Sequence, residues 1–137
     1  MPLAVDLLRD SFALAASREP AITERFYREL FARAPELAPM FTRSAAVQSE
    51  MLRVALFSVL EHLEDAPWLT RTLSALGARH QSYGVTPAMY GVVGEALIAT
   101  LANVLADEWT PQHAAAWTDA YGAIRDLMLA GAASAAA

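Results

Sequence analysis

Helical spacing of apolar residues constrains this sequence more than any other feature. Apolar side chains recur at intervals of three and four residues along most of the chain, and strand-like alternation of apolar and polar residues does not occur. Val5, Leu8, Phe12 and Ala15 show the spacing near the N-terminus. Residues spaced in this way lie on one face of a helix. The sequence therefore predicts an all-α domain of six or seven helices.

Prolines and hydroxyl side chains predict where the helices begin. Thr86-Pro87 and Thr110-Pro111 each place a capping hydroxyl before a proline at the first helical position. Ser44 is a favourable cap for a middle helix that we expect to end at about residue 61. Pro20 is expected to open the second helix.

Other residues predict where the helices end. Asp65-Ala66-Pro67 is expected to separate the middle helix from a shorter one that runs from Leu69 to about His80, and Gly84 is expected to terminate that helix. The last two helices are expected to end at about residues 106 and 130. The alanine-rich tail that follows, residues 132–137, is expected to fray.

Composition excludes several classes of function. The net charge is −5, with 15 acidic and 10 basic residues, which argues against a nucleic-acid partner. The chain has no cysteine, so disulfides, thiolate metal sites and cysteine nucleophiles are excluded. Residues 1–16 lack the basic start of a signal peptide, and no apolar run of about 18 residues is free of charge. We therefore expect a cytoplasmic protein without a membrane span.

His80 is the histidine most suggestive of a site. It continues the apolar stripe of Leu69, Leu73 and Leu76, so its imidazole projects from the apolar face of its helix. Spacing alone leaves three interpretations open: a hydrogen-bonded core histidine, a metal ligand, or an imidazolium stabilised at a helix C-terminus. His62 and His113 are interpreted as solvated surface residues.

Two further polar side chains are placed among apolar neighbours. Gln48 shares a helix face with Leu52 and Leu56, and a buried amide without partners costs about 1–3 kcal/mol. A glutamine at the helix edge that reaches water explains the pattern equally well. Tyr27 follows Phe26 directly and is suited to a boundary position with a half-buried ring and a wet hydroxyl.

Several segments together resemble single-domain bacterial globins related to the globin domain of flavohaemoglobins. The resemblance covers nearly the whole chain and rests on the following segments: Phe26-Tyr27-Arg28-Glu29-Leu30-Phe31, Pro35-Glu36, Pro39-Met40-Phe41, Leu76 to Val85, Tyr90-Gly91-Val92-Val93-Gly94 with Leu97, and Ala116-Trp117 with Tyr121-Gly122. It implies a three-over-three helical fold enclosing haem b, formed by residues 1–131.

The resemblance also implies roles for individual residues. His80 corresponds to the proximal iron ligand, and Tyr27 and Gln48 correspond to distal residues that stabilise bound oxygen. The remaining haem contacts that it implies are Phe41 at the corner before the middle helix, Leu52 on the distal wall, Leu76 and Val85 beneath the ring, Val93 and Leu97 at its buried edge, and Arg79 as a partner of the propionates. A glutamine in place of a distal histidine implies a pentacoordinate or water-bound iron.

One position departs from the flavohaemoglobin pattern. Tyr90 matches a tyrosine that flanks the proximal histidine in that group, but the glutamate expected beside it falls on Ala132. Because second-shell carboxylates increase the electron donation of a metal ligand, we expect weaker donation by His80 here.

The resemblance implies binding of O₂, NO and CO, and tight binding of O₂. It leaves open whether the chain converts NO to nitrate with a separate NAD(P)H-dependent reductase, or stores, delivers or senses oxygen without turnover. A third alternative is a haem-free signalling module with the same fold. The presence together of His80, Phe41, Tyr27 and Gln48 argues against that alternative.

Overall fold

The structure is a computed structural model that describes residues 3–136. These residues form six α-helices: α1 (Val5–Arg18), α2 (Ile22–Arg33), α3 (Ala45–Glu61), α4 (Ala66–Ser82), α5 (Pro87–Leu105) and α6 (Pro111–Ala136). Two short 3-10 helices, Pro35–Met40 and Ala106–Glu108, connect α2 to α3 and α5 to α6. The described residues contain no strand, which confirms the predicted all-α class.

Three predicted helix starts are confirmed. Ser44 caps α3 and its hydroxyl accepts a hydrogen bond from the Val47 amide (3.3 Å). Pro87 and Pro111 are the first residues of α5 and α6. The Thr110 hydroxyl also accepts a hydrogen bond from the amide of His113, at 3.3 Å.

Two predicted starts were wrong. Pro20 lies in the turn before α2, which begins two residues later at Ile22. Asp65-Ala66-Pro67 belongs to the start of α4 instead of preceding it. The Asp65 carboxylate caps the helix by accepting a hydrogen bond from the Trp68 amide (3.1 Å), and Pro67 occupies the first turn, where a missing N–H costs nothing.

The end of α4 is as expected, but the end of α6 is not. Gly84 adopts a φ of +92°, a conformation that favours glycine and ends the helical path. In contrast, α6 continues through Gly131 to Ala136, so residues 131–136 are helical. Gly131 packs against the backbone of Ser74, where a side chain would overlap. It therefore serves a close helix contact and is not a C-terminal cap. Ala137 lies outside the described residues.

The main core joins α1 to α3, α5 and α6. Its fully buried members include Leu8, Phe12, Leu101 and Leu105. The Trp117 indole of α6 donates a hydrogen bond to the buried Ser11 hydroxyl of α1 (3.0 Å), and that hydroxyl donates to the Leu8 carbonyl. This polar pair is thus satisfied within the core, as buried polar groups must be.

Helix α5 is the central apolar element. The segment Pro87–Glu108 is long and apolar enough to cross a membrane by length and composition, with a hydropathy of 1.5. The same composition is typical of a core helix. In this chain α5 packs against α1, α2 and α6, and its buried residues are Tyr90, Gly94, Ala96, Thr100, Leu101 and Leu105. One such helix is weak evidence for a membrane span, because core helices pass the same test, and 33% of the apolar window is buried here.

Candidate functional site

An aromatic group surrounds the first candidate residue, Tyr27. The Tyr27 ring lies edge-on to Phe26 (5.1 Å between centroids) and to Phe41 (5.3 Å), and it stacks on Phe31 (5.9 Å). Phe31 in turn contacts Phe41 edge-on at 5.4 Å. Helix α2 supplies three of the four rings because residues 27 and 31 are one helical turn apart. The three rings packed on Tyr27 limit the directions available to its hydroxyl.

Gln48 of α3 reaches the same place. Its amide nitrogen Nε2 donates a hydrogen bond of 3.4 Å to the Tyr27 hydroxyl oxygen. Because the oxygen accepts this bond, the hydroxyl hydrogen of Tyr27 stays available for another acceptor. Burial raises the pKa of Tyr27 above its ordinary value, and the hydrogen bond from Gln48 opposes that shift. The tyrosine is therefore a neutral donor at physiological pH.

The residues predicted for the haem face and distal wall, and those predicted for the buried edge of the ring, pack in one apolar cluster. Phe41, Leu52, Val93 and Leu97 all lie against a buried core that includes Phe26. We call these four residues, with Tyr27 and Gln48, the distal group. The structure thus brings together residues from α2, α3, α5 and the segment after the first 3-10 helix.

His80 lies in the last turn of α4 and is half-buried. Its ring nitrogen Nδ1 is 2.8 Å from the Leu76 carbonyl oxygen, and a carbonyl can only accept, so Nδ1 carries the proton of a neutral ring. The other nitrogen, Nε2, makes no hydrogen bond to any residue between 3 and 136. Burial lowers the pKa of His80, the Leu76 bond opposes the shift and the Arg79 charge adds to it. The ring thus presents Nε2 as an unprotonated lone pair.

A second apolar cluster surrounds the neighbours of His80. Leu76 and Val85 pack against a core formed by Leu73, Tyr90 and Met128. We call Leu76, His80, Val85 and Tyr90 the proximal group. Arg79 is exposed on the same helix turn as His80, so its guanidinium is available to a charged partner at the surface.

Tyr90 has an unusual environment. The residue is 7% exposed, and its hydroxyl has no hydrogen-bond partner within the described chain. Burial raises the pKa of Tyr90 above its ordinary value. Its backbone carbonyl accepts a hydrogen bond of 2.6 Å from the Tyr121 hydroxyl of α6. The backbone of Tyr90 is therefore fixed while its own hydroxyl is orphaned.

The two groups meet on α5 and diverge elsewhere. Tyr90 and Val93 are one helical turn apart, yet the first belongs to the proximal group and the second to the distal group. Helix α4, which carries His80, packs mainly along α6. Helix α3, which carries Gln48, contributes Val59 to the apolar cluster around Leu73, Tyr90 and Met128.

Sequence reasoning missed two residues of this region. Phe31 stacks on Tyr27, and the four-residue spacing between them on one helix was a usable signal. Met128 borders Tyr90 from α6. No local signal identifies it, because the contact depends on how α6 packs against α5.

The other two histidines are half-buried, although solvated positions were predicted for them. The His62 ring stacks on Trp68 (3.8 Å between centroids) and its Nδ1 is 2.7 Å from the Ser58 carbonyl oxygen. The His113 Nδ1 is 2.8 Å from the Thr110 hydroxyl. Both rings support helix ends.

Comparison with known proteins gives one consistent relationship. The Globin family model matches residues 24–128. A flavohemoprotein from Rhizobium meliloti is 32% identical over 126 residues, which are 90% of this chain and 31% of that protein. A flavohemoprotein from Vibrio cholerae is 29% identical over 120 residues, 85% of this chain and 30% of that protein. The chain thus spans about a third of the length of these relatives.

Solved structures agree on the fold. A protein from Pseudomonas aeruginosa described as structurally highly homologous to a human hemoglobin superposes with a TM-score of 0.83 at 22% identity, covering 93% of this chain and 97% of that one. A bacterial globin from Campylobacter jejuni gives 0.80 at 22% identity, covering 95% and 94%. A flavohemoglobin from Malassezia yamatoensis, solved with FAD and heme, gives 0.74 at 24% identity, covering 95% of this chain and 36% of that one. The chain has the three-over-three globin fold and belongs to the globin family.

Proposed function

We propose that this chain binds haem b, with His80 as the axial ligand of the iron. The observation that carries the proposal is the state of the His80 ring. Nδ1 is committed to the Leu76 carbonyl and Nε2 is left unprotonated and without a partner in residues 3–136. A metal-binding histidine generally has its second nitrogen fixed in this way, because that bond sets the tautomer and the ring orientation. The residues present therefore fit the group.

The surrounding residues suit a flat apolar ring. In this proposal Leu76 and Val85 pack beneath it, Phe41 and Leu52 lie on the distal side, and Val93 and Leu97 lie at its buried edge. All six lie in the two apolar clusters that meet on α5. Arg79 is exposed next to His80 and would pair with a propionate carboxylate. Tyr90 contributes apolar ring surface on the proximal side.

When bound, haem supplies an iron that takes up diatomic gases and can exchange one electron. The protein contributes the hydrogen bonds of the distal group. The Tyr27 hydroxyl accepts from Gln48 and keeps its own hydrogen for a ligand, and the Gln48 amide carries a second hydrogen. The 3.4 Å separation is long for a hydrogen bond, so both donors can turn toward a gas molecule. Such donors favour O₂ over CO, because O₂ draws more negative charge onto itself.

We propose NO dioxygenation as the reaction, supported by the flavohemoprotein relatives and by the two distal donors. One NO, one O₂ and one electron combine to give one nitrate, so each turnover needs a one-electron donor. The flavohemoglobin from Malassezia yamatoensis was solved with FAD as well as heme. By analogy, we propose that a separate NAD(P)H-dependent flavin reductase supplies the electron, and that both proteins are cytoplasmic.

Oxygen storage, delivery or sensing without turnover is the second candidate. Ala132 stands at the position where a glutamate was expected, and the His80 Nδ1 proton is directed at a backbone carbonyl instead of a carboxylate. A carbonyl is the weaker acceptor, so electron donation by the imidazole is weaker than with a carboxylate partner.

One experiment separates the two candidates. The protein is reduced, equilibrated with O₂ and mixed with NO in a stopped-flow instrument, with a flavin reductase and NADH present. Dioxygenation predicts stoichiometric nitrate and continued NO consumption until NADH is exhausted. A single stoichiometric burst with no further consumption, although the reductase restores the ferrous spectrum, would refute turnover and favour storage or sensing.

A further inference from the structure

The start of α3, the helix that carries Gln48, is loosely packed. Residues 42–47 are all exposed, and Gln48 itself is half-buried. Two amides of this turn are bonded to Ser44, that of Val47 to the side-chain hydroxyl (3.3 Å) and that of Gln48 to the carbonyl oxygen (2.9 Å). A helix end with so little packing opens locally at small cost. An added contact across the turn therefore changes how firmly Gln48 is held.

One side-chain contact spans this turn. The guanidinium of Arg43, which precedes the cap, lies against the thioether sulfur Sδ of Met51 in the second turn of the helix. A thioether sulfur is a weak hydrogen-bond acceptor. Arg43 forms no ion pair with an acid between residues 3 and 136, and Glu50, beside Met51, is bound by Arg53 at 2.6 and 3.0 Å. A full positive charge is thus directed at a group that binds it weakly.

Met51 is also accessible to oxidants in solution. It is 46% exposed, whereas Met128 is 7% exposed. Met40 and Met89 are half-buried and pack against the core that contains Phe26. Because oxidation of a sulfur side chain follows its exposure, Met51 is the described methionine that a water-soluble oxidant reaches most readily.

Oxidation changes the acceptor that Arg43 faces. Hydrogen peroxide transfers one oxygen atom to the sulfur: an S–O bond forms, the O–O bond breaks, the sulfur loses two electrons and the other peroxide oxygen leaves as water. The product, methionine sulfoxide, is polar, and its oxygen accepts hydrogen bonds. A hydrogen bond from a charged donor is roughly twice as strong as one between neutral groups. The Arg43 guanidinium is already in position to donate it.

We propose that Met51 is a modification site for hydrogen peroxide and that Arg43 binds the resulting sulfoxide oxygen. The new bond joins the residue before the cap to the second turn of α3, so it restrains the first turn. Gln48 lies in that turn and donates a hydrogen bond to Tyr27. Oxidation of one exposed side chain thus restrains a donor of the distal group. The proposal does not depend on haem binding.

Peptide mass mapping tests the site of oxidation. The purified protein is treated with hydrogen peroxide, and the sulfoxide fraction of each methionine is followed with time. Met51 should oxidise about tenfold or more faster than the buried Met128, because exposure governs the reaction. Equal rates at the two residues would overturn the proposal.

Amide hydrogen exchange tests the role of Arg43, with oxidised and untreated protein compared for each variant. Oxidation should slow exchange of the Val47 and Gln48 amides by about threefold, the scale of an exposed charged contact. Methionine sulfoxide reductase with a dithiol should reverse the change. Arg43→Ala should abolish the slowing. Arg71→Ala is the matched control that should retain it, because Arg71 is exposed on α4.

Two variants at position 51 separate the sulfoxide from other effects of peroxide. Met51→Leu has no sulfur and should show no slowing after treatment. Met51→Gln places a carbonyl oxygen at a similar distance from the backbone, so it should slow exchange of the two amides without any oxidant. Because Met51 is exposed, neither variant is expected to impair folding.

The outcomes are distinct. Slowing of equal size in Arg43→Ala or Met51→Leu would overturn the proposal, and so would exchange that is unchanged or faster once Met51 is oxidised. None of these measurements requires bound haem. They can therefore fail while the proposed function holds, and a protein that takes up no haem would leave their expected results unchanged.

Discussion

Gly77 of α4 lies directly against the backbone of Met128 in α6, so closely that a Cβ atom on Gly77 would overlap the Met128 carbonyl. One turn further along the pair of helices, Gly131 lies in the same way against Ser74. The two glycines let α4 and α6 approach closely over the turn that precedes His80. This contact fixes the helix that presents the candidate iron ligand.

Gly77→Ala should separate the two helices. Because the obstacle is backbone and cannot rotate away, we expect a loss of about 2 kcal/mol of folding free energy, typical of overpacking. Haem should also dissociate faster, since His80 moves with α4. Denaturant unfolding measures the loss of stability, and haem transfer to an apo-acceptor measures the rate of haem dissociation.

Gly91→Ala is the control. Gly91 is helical and a Cβ there meets nothing within 4 Å, so this change should stabilise the protein by up to about 1 kcal/mol. If Gly77→Ala and Gly91→Ala changed the free energy of unfolding equally, the close contact between Gly77 and Met128 would not exist.

Tyr90→Phe should stabilise the protein. The Tyr90 hydroxyl is buried and has no partner among the described residues, and such a group costs about 1–3 kcal/mol. Removing the oxygen and keeping the ring should therefore raise the unfolding free energy by about 1 kcal/mol. Tyr121→Phe is the contrasting variant, because it deletes the 2.6 Å bond to the Tyr90 carbonyl and should destabilise. Destabilisation by Tyr90→Phe would mean that the hydroxyl has a partner in solution.

Tyr27→Phe should speed O₂ dissociation by more than about tenfold, which corresponds to the loss of roughly 1.4 kcal/mol from one hydrogen bond. CO dissociation should change much less. Stopped-flow displacement of O₂ by CO gives the rate. Tyr83→Phe serves as the control because Tyr83 is 69% exposed. An unchanged O₂ rate in Tyr27→Phe would place the hydroxyl away from the ligand.

In the apoprotein, where no iron occupies Nε2 of His80, acid should weaken the fold through this residue. Burial holds its pKa below the ordinary value of about 6.5, so as pH falls the unfolded chain binds a proton before the folded one does. The contribution of His80 to the free energy of unfolding is fully present above about pH 6.5. It falls as the pH drops toward the pKa that His80 has in the folded chain. Thermal melts between about pH 5 and 8 should show this loss. His80→Gln should remove it and His62→Gln should not. The same pH dependence in His80→Gln would assign the effect to another group.

Much of this structure could be predicted from local signals. Ser44, Pro87 and Pro111 mark helix starts through their own backbone chemistry, and the stripe that ends at His80 follows from the helical period. Gly131 could not be interpreted locally, because a glycine that ends a helix and one that permits a close contact look identical in sequence. The segment Asp65-Ala66-Pro67 was ambiguous in the same way. A proline in the first turn of a helix and a proline that separates two helices look identical in sequence.

The candidate site divides in a similar way. Tyr27, Gln48 and Phe41 were predicted through a family resemblance, and the structure brings the three together. The Leu76 carbonyl as partner of the His80 ring could not be predicted, since the side-chain rotamer determines it. The orphaned Tyr90 hydroxyl depends on the packing of α4 against α6, which only the three-dimensional structure supplies.

Haem uptake by His80→Ala tests the proposed iron ligand most directly. Unmodified protein, His80→Ala, His62→Ala and His113→Ala are each titrated with hemin, and the Soret band is recorded before and after gel filtration. We expect the unmodified protein and the two control variants to retain stoichiometric haem, and His80→Ala to lose its Soret absorption on the column, with partial recovery in added imidazole. Retention of haem by His80→Ala with an unchanged spectrum would contradict the assignment of His80.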